Sequence, residues 1–228
     1  MSIHTNDQNG RVSIHEGTKH LILCEGKDDE QFISCFLNSD VFSDTDVTDI
    51  QVEQVRGVNN LRSTVLVLKN ADGFSQLRSL LIVRDADENI GGARDSVKGI
   101  FKKADLPIPS SEHQWNDNGT LKTGFLLMPS CSSKSQIGAL DDLCWDIISD
   151  KHGPLIRNDV VGFIDSLEYS GKRTFIHKSK ALLHTYFSAT EGLIASSIGR
   201  ASESGAFDWH SEKLNSLRDF LKSMVNNS

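Results

Sequence analysis

Leu80-Leu81-Ile82-Val83-Arg84-Asp85-Ala86-Asp87 is the stretch on which the reading of this chain turns. Four consecutive apolar residues, two of them β-branched, are what a strand buried on both faces requires. The run ends in carboxylates, which add little to packing. They stand where open α/β proteins place ligands, at the C-terminal edge of a parallel sheet. A second stretch repeats the arrangement: Leu21-Ile22-Leu23-Cys24 runs into Glu25-Gly26-Lys27-Asp28-Asp29.

Outward from these runs, strands and helices alternate. Lys19 to Cys24 reads as a strand, and Asp28 to Asn38 as a helix with Phe32, Ile33, Phe36 and Leu37 in one stripe. Asp28 and Gln31 have the spacing of a capping box. Ile50 to Val55 is a further strand. Asn59 to Asn70 reads as a helix on Leu61, Thr64, Val65 and Leu68, although its valines also suit a strand. After Gly91-Gly92, Val97, Ile100, Phe101 and Ala104 mark another helix. Pro107 to Thr120 is a polar connection or hairpin, and Thr123 to Met128 is a fourth core strand closed by Pro129-Ser130. A loop at 131–136 leads into a helix carrying Ile137, Leu140, Leu143, Cys144, Ile147 and Ile148. Beyond Lys151 only helices are expected, near 160–167, 178–187 and 209–224. Val12 and Ile14 suit a short edge strand.

The fold class that follows is α/β: a mostly parallel four-stranded sheet flanked by helices, with C-terminal helical additions. Residues 1–18 form a polar lead-in, 19–150 the α/β domain, and 151–228 a helical extension packed on the same core.

Composition narrows the classes. The chain has 228 residues, 38% of them hydrophobic, and a formal charge of −7. That length allows one full α/β domain with additions. No run is long enough for a membrane helix, and the polar N-terminus has no signal-like apolar segment, so a cytoplasmic location is expected. Cys24, Cys35, Cys131 and Cys144 form no CxxC pair and read as reduced thiols; zinc is not expected. The acidic balance argues against coating nucleic acid by electrostatics alone. It does not exclude an enzyme whose metal neutralises a local acidic site.

In an extended strand end Asp85 and Asp87 project to one face, with β-carbons roughly 6.5–7 Å apart. Arg84 then faces the other way and reads as a structural ion-pair partner. Mg²⁺ takes oxygen ligands and keeps several waters, so two or three carboxylates hold it, with Mn²⁺ as a substitute. Glu25 joins from the neighbouring strand as ligand or proton carrier. Asp29, four residues on, and Asp141, beside a later apolar stripe, are further candidate ligands. The plainer alternative is that Asp85, Asp87 and Glu88 cap a turn, but like charges gathered together repel unless a cation relieves them.

Glu25-Gly26-Lys27-Asp28-Asp29 and Arg84-Asp85-Ala86-Asp87 resemble the two signatures of the toprim domain. That domain occurs in topoisomerases, bacterial primases, a ribosomal-RNA-maturing ribonuclease and the overcoming-lysogenization-defect nucleases. Small stand-alone toprim-like proteins are the nearest in pattern, through Met128-Pro129 and Gly138-Ala139-Leu140-Asp141-Asp142-Leu143. The resemblance spans about 19–150 and, more loosely, the C-terminal helices. It implies four parallel strands, general acid/base chemistry at Glu25, and Mg²⁺ held by Asp85 and Asp87. It also implies a C-terminal lysine near the centre, Lys178 or Lys180. Two departures weaken a second metal: Ser130 replaces an acid frequent in small relatives, and Asp141 replaces a longer Glu. Topoisomerase and primase activities are not expected, since the tyrosine context of the one and the zinc and polymerase parts of the other are missing.

Lys172, Arg173, Lys178 and Lys180 form a positive run that either contacts phosphate or is simply solvated; Lys98, Lys102 and Lys103 are a second option. Trp115 is a candidate for stacking on a base. His184 and His210 receive no catalytic role. The leading expectation is Mg²⁺-dependent hydrolysis of a phosphodiester in DNA or RNA. Alternatives are a metal-dependent reaction on a nucleotide or small phosphate, and a non-catalytic toprim module working with a partner. By resemblance alone that partner is an ATPase and the setting anti-phage defence. Oligomeric state is left open, a dimer included.

Overall fold

Side-chain alternation along the strands sorts the core into two apolar layers. The computed structural model describes residues 12–129, 137–148, 154–194 and 196–226. Strands β1 (His20–Cys24), β2 (Ile50–Gln54), β3 (Ser79–Asp85), β4 (Asn116–Asp117) and β5 (Lys122–Met128) form one sheet in the order β2-β1-β3-β5-β4. β2, β1, β3 and β5 run parallel, as expected. The sheet has a fifth member: β4, from the polar connection, pairs antiparallel with β5 as a two-residue edge.

Ile22, Cys24, Leu81, Val83, Leu126 and Met128 share one cluster with helices α1 (Lys27–Leu37), α4 (Leu140–Asp146), α5 (Pro154–Tyr169), α6 (Lys178–Ala189), α7 (Ile198–Glu203) and α8 (Asn215–Asn226). Their strand neighbours Leu21, Leu23, Leu80, Ile82, Phe125 and Leu127 share the other with α2 (Val58–Leu68) and α3 (Ile90–Lys103). Both faces of the sheet are therefore covered.

Helix α1 shows how local sequence sets an element. Phe32, Ile33, Phe36 and Leu37 are buried as one stripe, and Phe32 meets Trp209 edge-on at 5.2 Å. Each such side chain contributes about 1.5–3 kcal/mol through burial. The helix starts one residue earlier than expected, so its third position falls to Asp29. Asp29 Oδ2 accepts the Gly26 N–H at 3.0 Å, replacing the Asp28/Gln31 box. The Asn38 side chain closes the last turn by donating to the Ser34 carbonyl.

Several boundaries differ from expectation. Val12 and Ile14 form no strand and pack against the α2–α3 layer. Helix α4 starts at Leu140 because Gly138 exchanges two backbone hydrogen bonds with Asp87, at 2.7 and 2.8 Å; Ile137 is left exposed. Ile147 and Ile148 are buried beyond the end of that helix. α7 escaped the sequence reading because six residues containing Gly199 and Ala201 show little periodicity. α8 starts at Asn215 instead of Trp209, since a 3₁₀ turn occupies Glu212–Leu214. Cys24 and Cys144 are buried and Cys35 is half-buried; Ser130 and Cys131 lie outside the described residues. Among the described residues no helix is long and apolar enough to cross a membrane.

β2 lies on one side of β1 and β3 on the other, so the chain changes winding direction at β1. The crevice beyond the carboxyl ends of β1 and β3 is the topological switch point, where ligands bind in open α/β sheets. Glu25 follows β1, and Asp85 ends β3.

Candidate functional site

Glu25 leaves β1 with its backbone fixed on two sides: its N–H donates to the Val83 carbonyl at 3.1 Å, and its carbonyl accepts from Gly57 at 2.8 Å. Its Oε2 is buried without a hydrogen-bond partner. Burial raises the Glu25 carboxyl above the usual carboxylate range, against the pull of Arg84, and the Asp87 charge reinforces the rise. Asp85 Oδ1 accepts the Leu140 N–H at 2.9 Å, which ties the end of β3 to the start of α4. Burial, then the charge of Asp29, push Asp85 up to about 8; Glu25 and Asp87 add to the repulsion while the Leu140 N–H opposes it. Asp29 is raised to about 7, chiefly by burial and partly by Glu25. Its Oδ1 is a second buried oxygen without a partner. Glu25, Asp29 and Asp85 thus stand as mutually repelling acids in a shielded place.

Asp87 is more exposed than these three, yet its charge still acts on Glu25 and Asp85. β3 ends at Asp85, and Asp87 takes a left-handed backbone, φ +52°, so strand alternation does not extend to it. Its side chain is 63% exposed and lies 3.6 Å from Arg84. Arg84 makes ion pairs, as expected, but its partners are the candidate ligands themselves. Its alternation away from Asp85 holds, but the register pairing Cys24 with Val83 sets Arg84 beside Glu25. The guanidinium, 8% exposed, lies 3.8 Å from Glu25 Oε2 and reaches Asp87 as well. A basic side chain thus stands between Glu25 and Asp87, two of the five candidate ligands.

The acids border two adjoining cavities. One, of about 600 Å³, is lined by Glu25, Asp29 and Asp85 with Arg56, Lys180 and Arg200 among its walls. The other, of about 660 Å³, lies between Asp87, Gly138 and Lys178. Asp85, Asp141 and Lys180 border both. Burial raises the Asp141 carboxyl, opposed by Lys180 and His184. Lys180 is exposed at the cleft, whereas Lys178 is clamped by Asp165, at 2.8 Å, and Glu168. Asp28 accepts the Gly199 N–H at 3.0 Å and so fastens α7 to α1. Asp142 accepts from Ala139 N–H at the start of α4.

Other candidates fall elsewhere. Trp115 stacks on Phe220 at 4.6 Å and donates to Ser223, so it is not free to take a base. Lys98, on α3, donates to the Ser110 carbonyl, and neither it nor Lys102 nor Lys103 borders the two cavities. His210 pairs with Asp40. The sequence reading missed Lys27, Arg56 and Arg200, and gave His184 no place, yet all four line the first cavity. They come from separate segments, and no spacing links them.

The donor set suits a hard divalent cation: carboxylate oxygens, two of them buried and unpartnered, with proton affinities raised by confinement. Among the described residues, however, no group of three or more His, Cys, Asp or Glu side chains is arranged to enclose a metal ion. Glu25 and Asp85, with Asp29 behind them, fit as partial ligands of an ion that keeps several waters.

A family model described as a protein of unknown function (DUF3226) matches residues 19–226. No curated protein matches. Among solved structures, two determinations of the C-terminal region of the Xanthomonas campestris pv. campestris OLD protein are similar. One has 14% identity and a TM-score of 0.43, the other 15% and 0.42; each alignment covers 91% of this chain and 96% of that chain. At that distance the likeness carries no argument about activity.

Proposed function

The chain belongs to the DUF3226 family, and on that premise we propose that it is a Mg²⁺-dependent phosphodiesterase acting on nucleic acid. The observation that carries this reading is the convergence of Glu25, Asp29 and Asp85 at the switch point, beside a cleft whose walls bear cations. Carboxylates raised by mutual repulsion are poised to bind a cation or move a proton near neutral pH. The toprim resemblance read from Glu25-Gly26-Lys27-Asp28-Asp29 and Arg84-Asp85-Ala86-Asp87 supports the same assignment.

Glu25 and Asp85 would hold Mg²⁺, with Asp29 as an outer carboxylate and Asp141 across the cleft. The ion supplies charge neutralisation on the phosphoryl oxygens and a lowered pKa for bound water. Where the ion leaves Glu25 unligated, that carboxyl, raised by burial, carries the proton between water and leaving oxygen. Lys180 supplies a positive charge at the wall shared by the two cavities, where phosphate charge builds up. Lys178, held by Asp165 and Glu168, positions the start of α6 and is withdrawn as a catalytic candidate. Asp87 becomes a ligand only if its turn swings away from Arg84.

The test is cleavage of DNA and RNA by the purified protein with Mg²⁺ or Mn²⁺, against Glu25→Gln and Asp85→Asn. Wild-type cleavage lost in both folded variants supports the proposal; a wild type inert toward both polymers removes it. One observation favours a second reading, a binding module without catalysis: Arg84 already supplies positive charge to Glu25 and Asp87. Mg²⁺ titration by calorimetry separates the two, since a module has no need of the ion.

A further inference from the structure

The cleft carries cations that the acidic motifs do not explain. Lys27 opens α1, Arg56 follows β2, Lys180 lies on α6 and Arg200 on α7, and all line the cavity around Glu25. All four are exposed, and among the described residues none has a carboxylate partner within 4 Å. Elsewhere Lys19, Lys178 and Lys222 are each engaged by an acid, whereas among the described residues Lys102, Lys103 and Lys172 are not.

Arg56 is the most telling of the four. Its φ of +61° is a left-handed conformation that a long side chain rarely adopts. The turn is held there by Gly57 N–H to the Glu25 carbonyl and by the Asn60 side chain to the Arg56 carbonyl at 2.9 Å. A glycine would take this conformation at lower cost, so an arginine here has to be explained by what its side chain does.

We infer that Lys27, Arg56 and Arg200 form a phosphate-binding rim for an extended single strand of nucleic acid, and that Lys180 carries the strand from the first cavity to the second. The inference rests on the phosphodiesterase reading and names its substrate class. Each cavity alone has the size of a small-molecule site; Asp85, Asp141 and Lys180 border both, and the two together exceed what one nucleotide needs. The second cavity is bordered by the exposed Ile137 and Ile176, an apolar wall for a base. Only an unpaired strand presents base faces to such a wall. Four localised cations on a chain of charge −7 suit a strand threaded through a cleft better than a duplex laid on a surface.

The test measures fluorescence anisotropy of labelled DNA and RNA strands on the full chain in chelator, where no cleavage occurs. Affinity is expected to rise from a mononucleotide to strands of about six to twelve nucleotides, in the range of known single-strand sites. Arg56→Gly and Arg200→Ala should each lower the log–log salt dependence by about 0.7, the value for one phosphate contact on a single strand. Arg56→Gly should also keep or raise the melting temperature, which separates lost contact from lost fold. The DNA and RNA arms identify which backbone is preferred. The rim is overturned if the folded double variant binds with unchanged affinity and salt slope. It is also overturned if a mononucleotide or a duplex binds as well as the longest strand. A strand bound through the rim but left uncut with Mg²⁺ refutes the hydrolytic reading and leaves the rim standing.

Discussion

Burial is the chief cause that pushes the Asp85 carboxyl up to about 8 and those of Asp29 and Glu53 up to about 7. In the unfolded chain these carboxyls ionise near 4. Between those limits the folded state binds more protons, so stability falls as pH rises. The metal-free protein should therefore melt higher at pH 5.5 than at pH 8.5, as two calorimetric scans in chelator will show. Asp85→Asn should raise the pH 8.5 value, each kcal/mol regained being worth about 2–4 °C in a domain of this size. Glu53→Gln, at a residue that lines neither cavity, should flatten the pH dependence without affecting cleavage. Glu25→Gln should leave the fold intact and lower cleavage by about 10²–10⁴-fold, the usual contribution of general acid–base catalysis. Single-turnover rates check this. Arg84 shows what the sequence conceals at this scale. Alternation set its direction, but its partner depends on the β1–β3 register, which no local pattern reveals.

At the scale of elements, α7 ties the C-terminal helices to the site. Gly199 donates to Asp28, and a β-carbon there would lie 2.7 Å from Gln31 Cβ. Gly199→Ala should cost about 1–3 kcal/mol through overpacking and weaken cleavage as well, because Arg200 and Asp28 move with the helix. Urea unfolding and activity, measured on the same variant, test both halves. In the α1 stripe Phe36→Ala should cost about 3–5 kcal/mol by the same unfolding measurement. β1 and β3 were legible because both faces are covered, leaving unbroken apolar runs that end in acids. α1 and α3 were legible from their stripes. α7 was not, since packing on α1 and not periodicity makes it a helix.

For the whole molecule, the C-terminal third supplies much of one layer. Leu183, Tyr186, Phe187, Leu217, Leu221 and Met224 share a cluster with strand residues Ile22, Leu81 and Leu126. A chain ending at residue 150 would expose that face of the sheet, and it should be insoluble or lack a cooperative melt, as expression and circular dichroism will report. A mostly parallel sheet with two-sided coverage was readable from alternating elements; its strand order was not. The cationic wall was not: Lys27, Arg56, Lys180 and Arg200 meet only once four segments converge.

The Arg84 bridge sets the character of the resting protein. With a built-in counter-ion at Glu25, the molecule should not need an added metal to stay assembled. Chelators should strip it of chemistry yet leave its architecture standing, unlike small domains for which the ion is the scaffold. On the proposed reading, loading an ion would mean competing with an arm of the protein itself, and such a centre would answer to abundant magnesium and ignore traces.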